Sequence, residues 1–332
     1  MWLKRLQIHF SNVLLIVSDG WKGALKMVKR ILDCTAADYA QMSAQELKQA
    51  IYAGEGRTVL SENVVVLPPV VDGVTNSEIA AFAGADLILL NAIDLENIKI
   101  QGLPATDAPI KLLKQLVGKP IGVNLEPVGD TGMMSQQINI NPGRQATRET
   151  LRLAEQLGVD YVCLTGNPGT GVNNQNILKT IELAKQEFSG LIIAGKMHSS
   201  GVDEPVINAQ IAREFIDAGV DILLVPAIYT VPRITKELLE SVVAVVDQHN
   251  AQAPDIKDKV LTMATIGTSQ ESSAPAVIRR IALEDKSIGI DIHHIGDAGF
   301  SGVAFPENID ALGVAIRGER HQLRIRARSI RR

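Results

Sequence analysis

Glu126, Lys196 and His198 are equipped for chemistry by type and by spacing. Glu126 follows Asn124 by two residues, just past the apolar run Ile121-Gly122-Val123. Lys196 and His198, also two apart, follow Leu191-Ile192-Ile193-Ala194-Gly195. Residues two apart at a strand's end share a face, so each pair points one way. Glu126 can act as a base or hold a metal. Lys196 can stabilise a developing oxyanion or, if desolvation lowers its pKa, form a Schiff base. His198 can move a proton. Glu62, after Thr58-Val59-Leu60-Ser61, is a fourth catalytic candidate. Asp94 and Glu126 are expected to hold a divalent cation, Mg2+, which usually takes one or two carboxylates; Asn91 and Asn124 stand beside them. The alternative is an ion pair between Glu126 and Lys196. No His/Cys spacing points to zinc.

Two glycine-bearing segments suggest an anion site. One is Gly267-Thr268-Ser269; the other is Gly296-Asp297-Ala298-Gly299, ahead of a helix that opens at Pro306. Bare amide groups at such turns attract anions, and a phosphate is expected between the two segments. Asn124, Asn167 and His294 would complete the contacts to substrate. The alternative is that these glycines only make tight turns. His293 and His294 lie on opposite faces of one strand, and His294, in phase with Gly296, is taken as the inward one. Cys163 is in phase with Thr165 and Asn167 and reads as packing.

The elements that position these residues are marked by a repeat. Gly84-Ala85-Asp86, Gly158-Val159-Asp160, Gly219-Val220-Asp221 and Gly289-Ile290-Asp291 each lead into an apolar run. The glycine suits the left-handed residue that ends a helix, and a buried strand follows. Four more strands, at 58–61, 120–124, 191–195 and 260–264, fall between the copies. Helices are predicted at 144–156, 176–188, 206–218 and 235–248, where apolar residues recur at helical spacing. Eight alternating strand–helix units predict an α/β chain folded as a single (β/α)8 TIM barrel; an open doubly wound sheet is the alternative. Residues 34–56, with Ser43-Ala44-Gln45-Glu46 as a capping box, predict an N-terminal helical plug. In such barrels the site lies at the C-terminal strand ends, where the residues above stand.

Domain organisation follows. Residues 1–26 read as a non-native or disordered extension, with Met27 as the true start; 27–320 form the barrel; 321–332 form a basic tail, read as a solvated helix end. The chain has 332 residues, 46% hydrophobic and only 4% aromatic, so the core is aliphatic, as in parallel α/β proteins. A net charge of −4 gives no reason to expect nucleic acid. The apolar run Val13-Leu14-Leu15-Ile16-Val17 is far short of the ~20 residues of a membrane span. Cys34 and Cys163 are too few for a disulfide framework, which points to a reducing cytoplasm. A homo-oligomer that binds a small phosphorylated metabolite is expected.

Three segments carry a resemblance: Lys29-Arg30-Ile31-Leu32-Asp33-Cys34-Thr35-Ala36, Gly195-Lys196-Met197-His198, and Asp291-Ile292-His293-His294-Ile295-Gly296-Asp297-Ala298-Gly299. They resemble a bacterial barrel family labelled phosphoenolpyruvate phosphonomutase-like or phosphoenolpyruvate-binding, over residues 27–328. The resemblance implies a Mg2+-dependent enzyme acting on a small phosphonate or enol-phosphate acid. The chain departs from the true mutases and isocitrate lyases, which carry an Asp-x-Asp metal motif; strand three has Asn124-Leu125-Glu126 instead. The expected function is a lyase or isomerase acting on a small phosphorylated or phosphonate-like carboxylic acid, its phosphate held after strands seven and eight. The alternatives are a Schiff-base aldolase through Lys196 and a non-catalytic barrel that binds a phosphometabolite.

Overall fold

The computed structural model describes residues 29–129 and 138–332; the reading of 1–26 and Met27 concerns residues outside that range. Eight parallel strands close into a barrel: β1 Thr58–Val64, β2 Leu87–Asn91, β3 Ile121–Leu125, β4 Tyr161–Leu164, β5 Leu191–Gly195, β6 Ile222–Pro226, β7 Leu261–Ile266 and β8 Ile292–Ile295. Closure is direct, with Leu60 of β1 opposite His294 of β8. The chain is therefore a (β/α)8 barrel. Two short helices, α1 Ala36–Tyr39 and α2 Ala44–Tyr52, precede β1. Between the strands run α3 Asn76–Ala83, α4 Pro109–Val117, α5 Arg148–Leu157, α6 Asn174–Glu187, α7 Ala209–Asp217, α8 Lys236–Asn250 and α9 Pro275–Ser287. The last helix, α10 Pro306–Ala327, follows β8. Among the described residues no helix is long and apolar enough to cross a membrane.

Alternation along each strand makes two cores. Val59, Ile88, Val123 and Val162 face the helices. Leu60, Leu89, Tyr161, Ile193, Leu224 and Met263 fill the barrel together with Leu47 and Ile51 of α2, so α2 plugs the N-terminal end. Ser43 caps α2 in a reciprocal box with Glu46, as the sequence suggests. Gly122 is small because the Tyr161 ring occupies the place of a β-carbon.

The repeated aspartate has a specific task that spacing alone does not reveal. The carboxylate of Asp86 accepts from Val59 N (2.9 Å), Asp160 from Ile121 N (2.7 Å), Asp221 from Ile192 N (3.0 Å) and Asp291 from Thr262 N (2.9 Å). Each therefore ties an even strand to the start of the odd strand before it. Three of the four also meet a cation from another element: Arg317 of α10 on Asp86, Lys114 of α4 on Asp160 (2.7 Å) and Lys48 of α2 on Asp221 (2.8 Å). Asp291 has Thr262 Oγ1 (3.1 Å) instead, and burial pushes its carboxyl up to about 6.

Two sequence readings need correction here. Helix α5 begins at Arg148, not Arg144, because Thr147 and Thr150 form the cap; α7 begins at Ala209 because Asn208 accepts from Ile211 N (2.9 Å). The basic C-terminus is not simply solvated. Arg317 is buried against Asp86, Gln322 and Ile325 are buried, and Arg328 reaches the carbonyls of Leu32 and Cys34. Arg320 and Arg324 do face solvent.

Candidate active site

The inward phase of the strands brings Glu62 of β1, Asn91 of β2, Asn124 of β3 and His294 of β8 to the C-terminal mouth, all buried. Glu126, Thr165 and Asn167 continue the inward phase just beyond β3 and β4. His294 Nε2 lies 2.8 Å from Glu62 Oε2. Asn91 is the hub of the opposite wall. Its Oδ1 accepts from Ala92 N (2.7 Å), Asn124 Nδ2 (3.0 Å) and Asn167 Nδ2 (3.2 Å). Its Nδ2 donates to Asp297 Oδ2 (2.7 Å) and Asn167 Oδ1 (3.0 Å). Asn167 in turn donates through Nδ2 and its backbone amide to the two oxygens of Glu126, both at 2.8 Å, and Arg144 Nη2 donates to Glu126 Oε1 (2.8 Å).

Electrostatics set the protons. Burial, then the nearby Glu126 and Glu271 carboxylates, push Glu62 up to about 8. Burial holds His294 down to about 4, against the pull of Asp297 and Glu271. The pair at neutral pH is thus a carboxylic acid donating to a neutral imidazole, not an ion pair, because desolvation disfavours both charges. Asp297 is pushed up to about 7, first by burial and then by Glu62, while the bond from Asn91 lowers it. Glu271 is also raised, by burial above all.

The family model described as Domain of unknown function (DUF7916) matches residues 32–332. The chain belongs to the DUF7916 family. A search of curated proteins found no match. Among solved structures, an archaeal fructose 1,6-bisphosphate aldolase is similar over 83% of this chain and 100% of its own, at 15% identity and a TM-score of 0.51. A 2,3-dimethylmalate lyase of the PEP mutase/isocitrate lyase superfamily covers 79% and 81%, at 14% identity and a TM-score of 0.46. An oxaloacetate acetylhydrolase covers 76% and 80%, at 15% identity and a TM-score of 0.44. At these identities the likeness is one of fold.

Several residues of this DUF7916 chain are placed differently from the sequence reading. Lys196 Nζ, fully buried, pairs with Glu204 Oε1 (2.9 Å), and Glu126 pairs with Arg144, so the Glu126–Lys196 ion pair is not formed. His198 Nδ1 accepts from Ser200 N (3.0 Å), which puts the proton of the neutral ring on Nε2. Burial and then Lys196 lower its pKa, and Glu126 raises it, so His198 lies within reach of both fields. Asp94 accepts from Glu96 N and Asn141 Nδ2, both at 3.1 Å, and ties its own loop to the one after β3.

The donor set does not fit Mg2+ at Asp94 and Glu126. Both oxygens of Glu126 are engaged by Asn167 and Arg144, and a guanidinium already fills the cation's place. Among the described residues no group of three or more His, Cys, Asp or Glu is arranged to hold a metal.

The phosphate expectation at the loops after β7 and β8 also meets a physical objection. Gly296 N donates to Ile266 O (2.8 Å), and Thr268 Oγ1 donates to Thr230 O (2.7 Å). The amide of Ala298 faces the carboxylate of Glu271. Gly296 and Thr268 therefore turn these donors on the chain's own groups, and the two loops bring Asp297 and Glu271 to the place meant for an anion. Gly267, Ser269 and Gly299 shape the turns, Ser269 with a left-handed φ of 71°. Sequence reasoning passed over Glu271 and Arg144 because both lie beyond the strand ends, outside the strand phase. Asn91 was legible, being in phase with Leu87 and Leu89.

Proposed function

We propose that the barrel mouth is the active site of a lyase that takes a proton from the carbon next to the acid group of a small carboxylic acid and protonates the group that leaves from the neighbouring carbon. The observation that carries this reading is the buried Glu62–His294 pair with Asp297 close by. It puts two carboxyls whose pKa values, about 8 and about 7, lie near neutrality in one buried cluster. Groups so tuned are suited to general acid and general base work. Asp297, ionised above about 7, takes the proton from carbon. The negative charge that develops spreads onto the substrate's acid group. Glu62, protonated below about 8, gives its proton to the leaving group as the bond to the neighbouring carbon breaks, and His294 holds its carboxyl in place.

The acid group, whether carboxylate, phosphonate or phosphate, belongs on the side of Arg144, Lys196 and His198. Arg144 Nε is a buried donor without a partner, and a guanidinium suits a planar acid. The Schiff-base route is disfavoured by the Lys196–Glu204 ion pair, since imine formation needs a neutral amine. The solved structures named above include a lyase and an aldolase, in keeping with this reading, though it rests on the site alone.

The test is proton exchange in D2O, followed by NMR, across small oxo and hydroxy acids and their phosphorylated forms. At least one should exchange a carbon-bound proton or be cleaved. Glu62→Gln should slow that reaction by about 10²–10⁴-fold, the usual worth of a positioned acid or base, with circular dichroism unchanged. A Glu62→Gln protein as active as the parent would sink the assignment.

A further inference from the structure

The floor of the mouth holds polar atoms that are buried and have no partner, among them Asn124 Oδ1, Thr165 Oγ1 and Arg144 Nε. Such atoms are few in a folded protein, and each calls for an explanation. For Asn124 the orientation of the amide is not arbitrary. Asn91 Oδ1 already accepts from the backbone amide of Ala92 (2.7 Å), which fixes which end of Asn91 is oxygen. Asn91 Nδ2 must then face Asp297 Oδ2 (2.7 Å), an oxygen that can accept. With Asn91 so fixed, the atom of Asn124 that lies 3.0 Å from Asn91 Oδ1 has to be a nitrogen. Turning the Asn124 amide over would set two carbonyl oxygens against each other. Asn124 Oδ1 is therefore held as an acceptor facing no donor, in a side chain only 4% exposed. Thr165, just past the end of neighbouring β4 and in the same inward phase, adds a hydroxyl with no partner.

An acceptor at Asn124 and a cationic donor at Arg144 are joined through one network: Asn124 to Asn91, Asn91 to Asn167, and Asn167 to the Glu126 carboxylate that Arg144 also holds. We infer that the site is built for a small hydroxy acid, its acid group on Arg144 and its hydroxyl donating to Asn124 Oδ1. Asn91 is the positioning residue that fixes that acceptor. The inference rests on the lyase reading for the location of the site and adds the substrate class. A site that hydrogen-bonds a substrate hydroxyl rejects the analogue without it, because its own buried acceptor is then left unpaired.

The experiment compares matched acids with and without the hydroxyl, malate against succinate and lactate against propionate, by isothermal titration calorimetry on the whole protein. A hydroxy acid should bind at least about tenfold more tightly than its deoxy partner, a modest demand for a site of this kind. Asn124→Ala should bring the two affinities together. The wild-type comparison stands by itself if that variant does not fold. Equal binding of the two members, no binding by either, or discrimination that survives Asn124→Ala overturns the inference. Discrimination with neither proton exchange nor cleavage supports it while sinking the lyase reading, so the two failures are distinct.

Discussion

At the scale of single residues, the mouth works by desolvation. Glu62, His294 and Asp297 are all moved away from their ordinary values chiefly by burial, and only then by one another. The rate of the proposed reaction should follow a bell in pH. Below about 7 it falls because Asp297 is protonated and cannot accept, and above about 8 it falls because Glu62 has lost the proton it must give. The maximum is expected between the two, in kcat/KM measured across pH 5–10 (about the range that brackets both groups). A profile that keeps rising beyond pH 9 (roughly one unit past the Glu62 limb) would rule out Glu62 as the acid. The three asparagines have the complementary task. They carry no charge to be titrated away, so Asn91, Asn124 and Asn167 hold Asp297 and Glu126 in register over that whole range.

At the scale of elements, the Gly-x-Asp repeat joins helix ends to strand starts on the N-terminal face, and three of its aspartates recruit α10, α4 and α2 by charge. The plug helix α2 depends on the pair of Lys48 with Asp221, whose side chains are 1% and 4% exposed. Breaking a buried pair leaves an uncompensated charge. Lys48→Met should cost about 3–5 kcal/mol in urea unfolding. Adding Asp221→Asn, which removes that charge and keeps an oxygen for Ile192 N, should recover much of the loss. If the double variant is as unstable as the single one, the charge is not what holds the plug.

At the scale of the molecule, the pH dependence of stability follows from the buried carboxyls. Asp285 is pushed from an ordinary 3.8 to about 8 by burial, Glu62 from 4.5 to about 8, and Asp297 from 3.8 to about 7. Each keeps its proton when folded and loses it when unfolded, so stability falls as pH rises toward the folded value. His293 and His294, held neutral at about 3 and about 4, act oppositely, but only below their ordinary 6.5. Above that point the raised carboxyls lead, and Lys119, lowered by burial to about 8, acts against them only as pH nears that value. From pH 6.5 to 8, the unfolding free energy should fall by at most about 1.4 kcal/mol per pH unit per group. Asp285→Asn keeps an acceptor for Ile228 N and should reduce the slope. A curve that is flat or rising over this window would contradict the assignment.

The barrel itself was legible in the sequence. Four Gly-x-Asp copies and four plainer apolar runs number the strands correctly, because strand phase and helix stops are local properties of the chain. Phase also paired Asn124 with Glu126 and Thr165 with Asn167 on single faces and took His294 as inward, since a strand's alternation survives folding intact. Three things were decided only in three dimensions. Lys196 and Glu126 each took a partner from the loop that follows its own strand, Glu204 and Arg144, because long charged side chains pair with whatever the loops bring near. The glycine-rich segments turned the Gly296 amide on Ile266 and the Thr268 hydroxyl on Thr230, because a buried amide or hydroxyl is satisfied by the nearest acceptor and not by a ligand a motif suggests. And the proton between Glu62 and His294 went to the carboxyl because both are out of water, a fact of burial that no spacing of residues records.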